Sequence, residues 1–309
     1  MHIETLKVFC DLAETGSFSL ASSKNFITQS AVSQQIRGLE ERYGRELVER
    51  SKGNVRLTQA GQVLYDAGKE IVQKYREIED GIQTLSHSVA GTVRVATVYS
   101  VGLYELSSPL KRYLQTFPDV NIHLEYTRVN KIYEDVSRGD IDLGIVAYPS
   151  KRPQIRLTPF REDRLVLICA PQHRFASLRR LNIKKLDGEN FIGFERDIPT
   201  RRALDRLFRR HGVKVQYMME MDNVETIKRA VEIGAGIAIV PEPSVSLEVN
   251  NETLKVVHFS GEVLMRPLGL ISKRGRRFTQ ATQKFIDFLK DKPAQQSSES
   301  SDQVLQAIA

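Results

Sequence analysis

Between Gln29 and Arg37 the chain places Gln29, Ser30, Ser33, Gln34 and Arg37 at spacings of 1, 3, 1 and 3. On a helix those intervals share one face. The side chains are amides, hydroxyls and a guanidinium, and no carboxylate joins them until Glu40 and Glu41. Such a face suits base edges and phosphates, which pair with Gln, Ser and Arg and repel acids. An ordinary solvated helix face mixes Glu with Lys, so the missing acids count against that plainer reading. Downstream, Gly53-Asn54 predicts a hairpin turn within Glu49-Arg50-Ser51-Lys52-Gly53-Asn54-Val55-Arg56. Arg50, Lys52 and Arg56 would then form a basic wing able to lie on a phosphate backbone.

The elements that must hold this face are short helices with tight turns. Ile3, Leu6, Phe9, Cys10 and Ala13 fall at helical spacing, and Gly16 ends that helix. A second helix over Ser19 to Asn25 has the small residues Ala21, Ser22 and Ser23, which allow close approach. Thr28 is placed to cap the third helix, whose inner side would be Val32, Ile36, Leu39 and Tyr43. The run from Thr28 to Glu40 resembles the recognition-helix signature of LysR-type transcriptional regulators. So do Gly16-Ser17-Phe18 before it, and Leu47-Val48-Glu49-Arg50 and Arg56-Leu57-Thr58-Gln59-Ala60-Gly61 after it. The resemblance implies an α+β winged helix-turn-helix over residues 1–58 that binds double-stranded DNA. Gln29, Ser30, Ser33, Gln34 and Arg37 would enter the major groove, with Arg50, Lys52 and Arg56 on the wing. Val48 stands where the family often has Phe, which should only soften packing at the wing.

Residues 59–90 predict one long linker helix, with Thr58 as its cap. Leu64, Ile71, Ile78 and Leu85 recur every seven residues, as do Gly61, Gly68, Tyr75 and Ile82. Read as heptads, the two sets form a seam between two copies of the helix. The alternative is a helix packed on its own domain. A homodimer or homotetramer suits DNA, because paired half-sites need paired readers.

Residues 91–293 alternate strands and helices, which predicts α/β sheets with mostly parallel strands. The pattern resembles the family's effector-binding domain, which is like a periplasmic binding protein with two lobes about a cleft. Lobe I would span about 91–163 and 267–293, and lobe II about 164–266. Ligands in such sheets sit beyond the carboxyl ends of strands, where helix N-termini point. By the resemblance, Ser100 and Thr200 face each other across the cleft, although either could simply cap its helix. Thr97, Tyr126, Tyr148 and Phe194 lie near strand ends and could line the cleft, and Arg201 and Arg202 could add charge. Residues 150–215 hold 17 basic and 7 acidic side chains, net +10, against net +1 over residues 1–65. Either this is a solvated basic surface or the cleft attracts a small anion.

Composition narrows the field. The 309 residues carry a formal charge of +7 and two cysteines, Cys10 and Cys169, far apart. A disulfide framework and a spaced metal cluster are therefore excluded, and no cofactor is expected. No signal-peptide pattern opens the chain and no apolar run suits a membrane span, so a cytoplasmic location is expected. Both cysteines sit in apolar patterns, which favours packing over redox sensing. Residues 294–309 are polar and low in complexity, a pattern of disorder. An enzyme or solute-binding protein built on the α/β part is the main alternative. It would leave residues 1–58 without a task, and the chain lacks a nucleophile elbow or phosphate loop. Gly234-Ala235-Gly236 follows a helix, the wrong place for a dinucleotide fingerprint. A second alternative is an architectural DNA binder that needs no effector.

Overall fold

The computed structural model describes residues 2–51, 54–83 and 89–291, with backbone alone for Arg50, Ser51, Asn54, Asp80 and Gln83. Two compact units divide between residues 87 and 88. Leu85 of the heptad set, Lys52 and the polar tail lie outside the described residues, as does the Arg50 side chain.

The first unit runs α1 (Ile3–Thr15), α2 (Phe18–Asn25), α3 (Gln29–Tyr43), β1 (Val48–Ser51), β2 (Asn54–Leu57) and α4 (Gln59–Gln83). Gly16 and Gly44 close α1 and α3 in the left-handed conformation that glycine adopts most cheaply. Leu12, Ala21, Val32, Ile36, Leu39 and Leu47 fill the core. Tyr43 is exposed, a correction to the expected inner face: it falls on the last turn, beyond the reach of α1 and α2. The hairpin forms, but Asn54 pairs with Ser51 and so belongs to the strand and not to the expected Gly53-Asn54 turn, of which Gly53 lies outside the described residues. Val48 is buried in the core at the base of the hairpin.

α4 belongs to this unit and packs along α1. Gly68 serves that packing, and Gly61 brings α4 against Leu47 and Leu57. A Cβ on Gly61 would lie 2.0 Å from the Leu47 carbonyl oxygen, and one on Gly68 would lie 3.0 Å from Leu6 Cδ1. The expectation that both glycines belong to an intersubunit seam is thus corrected. The seam residues beyond them, Ile71, Tyr75, Ile78 and Ile82, are exposed, while Leu64 is half-buried against the core.

The second unit runs β3 (Gly91–Thr97), α5 (Tyr99–Glu105), α6 (Ser107–Thr116), β4 (Val120–Tyr126), α7 (Val129–Arg138), β5 (Leu143–Ala147) and β6 (Ile155–Cys169). It continues through β7 (Arg180–Leu181), β8 (Asn190–Phe194), α8 (Pro199–His211), β9 (Gln216–Met221), α9 (Val224–Glu232) and β10 (Ala238–Pro241). It ends with α10 (Ser246–Asn250), β11 (Lys255–Phe259), β12 (Met265–Lys273) and α11 (Gln280–Lys290). Two helices follow β3, α5 and α6. Pro109 has no N–H and would collide with the Glu105 carbonyl four residues earlier, so the helix must restart.

The strands follow the order β4-β3-β5-β12-β6-β11-β7, with β10 also on β6 and a separate β8-β9 pair. β3 runs parallel to β4 and β5, β7 to β11, and β8 to β9. β12 is antiparallel to β5 and β6, and β6 is antiparallel to β10 and β11. The sheet is therefore mixed, not mostly parallel. The cause is the long pair β6 and β12, which carries the chain out and back. β6 pairs with β12 through Arg164 and with β10 from Leu165 onward. Separate cores lie on either side of that exchange, one around Tyr113 and Phe285 and the other around Phe191 and Phe208.

Candidate functional site

α3 is fixed from both ends. The Thr28 hydroxyl accepts a hydrogen bond from the Ala31 amide at 3.2 Å, and Val32, Ile36 and Leu39 anchor the inner face. Glu40, the first acid on the helix, accepts the Leu47 and Val48 amides at 2.9 and 3.3 Å. It is thereby committed to positioning β1. Gln29, Ser30, Gln34 and Arg37 are exposed and Ser33 is half-buried, so the five candidates share an open, acid-free face. Arg56 is exposed on β2 opposite Glu49.

The rest of the unit braces this face. Asp11, buried on α1, holds Lys24 at 2.6 Å and accepts from Asn25 Nδ2 at 2.8 Å, tying α2 to α1. Glu14 receives Lys69 and Tyr65 of α4 as well as Lys24. Burial opposes ionisation of Glu14, but Lys69 and Lys24 outweigh it and hold the carboxyl below its usual range.

In the second unit, one cleft of about 90 Å³ lies between the lobes. Its walls come from the starts of four helices: Tyr99 and Ser100 of α5, Arg128 to Asn130 of α7, Ile198 to Thr200 of α8, and Asn223 and Val224 of α9. Three of these helices, α5, α7 and α8, have no side chain capping their first amides. Asn223 alone caps its helix, accepting the Thr226 amide at 3.1 Å. The first N–H groups of a helix are unsatisfied and carry about half a positive charge, so this cleft concentrates donors and positive potential.

The sequence-derived candidates divide sharply. Ser100, Phe194 and Thr200 line the cleft. Neither Ser100 nor Thr200 caps its helix; those positions are Val98 and Ile198. Thr200 is buried and its hydroxyl has no hydrogen-bond partner among the described residues. Five candidates do not line the cleft. Thr97, the last residue of β3, is fully buried between β4 and β5 and donates to the Ile145 carbonyl at 3.2 Å. Tyr126 covers Gly102, whose Cβ would meet the ring at 2.3 Å, and stacks near Tyr99. Tyr148 turns away into a separate groove with Leu204, Leu207 and Met265, on a backbone with φ of 50°. Burial there pushes its hydroxyl pKa up.

Arg201 points into lobe II. It donates to Asp205 at 3.0 Å, Glu220 at 2.9 Å and the Phe194 carbonyl at 2.8 Å, and lies 3.5 Å over the Tyr217 ring. Arg202 is exposed and donates to the Asp197 carbonyl at 2.7 Å. The basic stretch 150–215 supplies no cation to the cleft wall. The cations lining the cleft are Arg128 and Arg266.

Two groups were missed. Arg266, buried on β12, forms an ion pair with buried Asp163 and donates to Ser100 Oγ at 2.9 Å. Arg128 reaches across the cleft to Glu195 at 2.8 Å and Asp197 at 3.1 Å. Coulombic attraction from Glu195 and Asp197 raises the Arg128 pKa. The polar run Thr127-Arg128-Val129-Asn130 between a strand and a helix was the available signal, the same pattern that pointed to Ser100.

The architecture has known counterparts. The chain matches a family model described as "Bacterial regulatory helix-turn-helix protein, lysR family" over residues 3–62, and one described as "LysR substrate binding domain" over residues 86–294. It belongs to the LysR family. This LysR-family chain is 30% identical over 287 residues to the HTH-type transcriptional activator CmpR of Synechocystis sp., covering 93% of this chain and 94% of CmpR. Among solved structures it is similar to full-length CbnR complexed with its target DNA, with a TM-score of 0.67, 18% identity and coverage of 94% and 99%. It is also similar to the regulatory domain of CcmR from Synechocystis in complex with 2-PG, with a TM-score of 0.60, 27% identity and coverage of 65% and 96%. The LysR-family chain is a DNA-binding transcriptional regulator with an effector-binding domain. No helix among its described residues is long and apolar enough to cross a membrane.

Proposed function

We propose that this regulator reads DNA through Gln29, Ser30, Ser33, Gln34 and Arg37, with the wing on the phosphates, and is switched by a small anion in the cleft. One observation carries the effector reading: four helix N-termini, three without a capping side chain, open on the same cleft. Backbone amides at helix starts bind carboxylate, phosphate or sulfate without needing a full counter-charge. At about 90 Å³ the cleft is far smaller than the ~300–1,000 Å³ typical of sites for drug-sized ligands. A compact anion such as 2-PG, 2-phosphoglycolate, fits that description.

In this reading residues 1–58 read DNA, α4 joins two chains, and the unit from 91 to 293 senses the effector. The working form is a homodimer or a homotetramer in the cytoplasm. In this reading the protein regulates and does not catalyse, in line with relatives that are named transcriptional regulators.

Calorimetry with 2-phosphoglycolate, inorganic phosphate and sulfate tests the site. Thr200→Leu fills the cleft beside the α8 N-terminus. The variant should lose heat of binding to whichever anion the wild type takes, and should still bind operator DNA without responding to that anion. Equal affinity in both proteins places the effector elsewhere.

A further inference from the structure

Phe26 is the most exposed large apolar side chain described, at 96%. A single exposed hydrophobic residue means little alone. Its backbone, however, is also left-handed, with φ of 54° and ψ of 36° at the end of α2. Helices α1, α3, α7 and α8 end in the same conformation and use Gly16, Gly44, Gly139 and Gly212. A bulky residue is disfavoured there and Asn is the tolerable substitute for Gly. At position 26 the chain thus accepts backbone strain and leaves a phenyl ring in water. No aromatic pair or core cluster among the described residues includes the ring.

Position decides what covers it. Phe26 stands two residues before the Thr28 cap and three before Gln29, the first residue of α3, whose open face we assign to the major groove. The major groove offers one apolar group, the thymine 5-methyl, and phenyl rings are among the side chains that pack on it. We infer that Phe26 reads a thymine methyl at the edge of each half-site, beside the bases read by Gln29 and Gln34. The inference rests on the DNA-reading assignment of α3.

Selection from a randomised duplex pool by full-length protein gives the motif, and Phe26→Asn gives the comparison. Asn keeps the left-handed turn without the ring, so its melting temperature should equal or exceed that of the wild type. Both proteins should enrich one motif, with the preference for thymine at one position lost in the variant. Replacing that thymine by uracil removes the methyl alone. It should weaken wild-type binding about fourfold, the worth of one buried methyl, and leave the variant unchanged. Identical motifs and equal affinity for thymine and uracil duplexes would overturn the inference. So would a loss spread evenly over all sequences, which puts the ring on the backbone. Gln34→Ala separates the two levels. If it relaxes specificity where Phe26→Asn does not, this inference fails alone; if neither does, the assignment of α3 fails as well.

Discussion

Arg201 and Arg266 are both almost fully buried, yet they serve different ends. Arg201 is satisfied within lobe II by two carboxylates, a carbonyl and a ring, so its charge never reaches the cleft. Arg266 is neutralised by Asp163 and uses a remaining N–H to orient Ser100 toward the cleft. A buried cation needs such partners, because an unpaired charge in the interior is costly. Cys169 is the neutral counterpart. It lies in β6 with no exposure, and burial pushes its thiol up from 9.0 to about 11. The folded state therefore prefers the protonated thiol. Its contribution is constant below pH 9, where the unfolded thiol is also protonated, and falls as pH rises from 9 to about 11. Alkaline unfolding curves of wild type and Cys169→Ala should diverge in that window, with the wild type losing more stability. The native thiol should resist iodoacetamide at pH 8, since thiolate is the reactive form. Fast native labelling would mean that this cysteine is accessible and ionised.

At the scale of elements, α4 shows how one heptad pattern can serve two surfaces. Gly61 faces Leu47 and Gly68 faces α1, while Ile71, Tyr75, Ile78 and Ile82 are exposed. Gly61→Ala drives a Cβ into a backbone oxygen and should destabilise the first unit by about 3 kcal/mol or more, at the top of the range for overpacking. Ile78→Glu should leave that unit folded and dissociate the dimer. Thermal unfolding and sedimentation together distinguish the outcomes; an Ile78→Glu protein that still sediments as a dimer removes α4 from the subunit contact. The α3 face was legible in the sequence because helix periodicity, caps and acid placement are local. The division of α4 was not, since the glycines look alike until α1 lies beside them. The cleft was legible in part. Ser100 and Thr200 follow from strand-then-helix order, but the convergence of four helix starts depends on which strands are neighbours. Arg201 carried a local warning in Asp205, four residues on and one helical turn away.

At the scale of the whole effector unit, the two lobes meet through polar contacts. In one, Lys228, buried in lobe II, donates to Tyr104 of lobe I at 2.8 Å and pairs with Glu248 at 2.9 Å. In the other, Arg128 spans the cleft mouth to Glu195 and Asp197. The second contact is exposed, so salt screens it and its contribution to stability is small. It nevertheless holds the guanidinium beside the helix N-termini, where an incoming anion would compete with two carboxylates for it. A ligand shifts the lobes only as far as it prefers one arrangement. Releasing Arg128 from its carboxylates should therefore strengthen anion binding, and removing Arg128 should weaken it. The double variant Glu195→Gln, Asp197→Asn keeps the side-chain shapes and frees the cation; a gain of about tenfold corresponds to ~1.4 kcal/mol. Arg128→Ala loses both clasp and cation, and its affinity should fall below that of the wild type. Titrating both proteins with 2-phosphoglycolate at low and high salt checks the argument. If the clasp serves only to close the lobes, all three substitutions lower affinity together. Opposite signs for the acidic and basic variants identify Arg128 as a group that exchanges protein carboxylates for the effector.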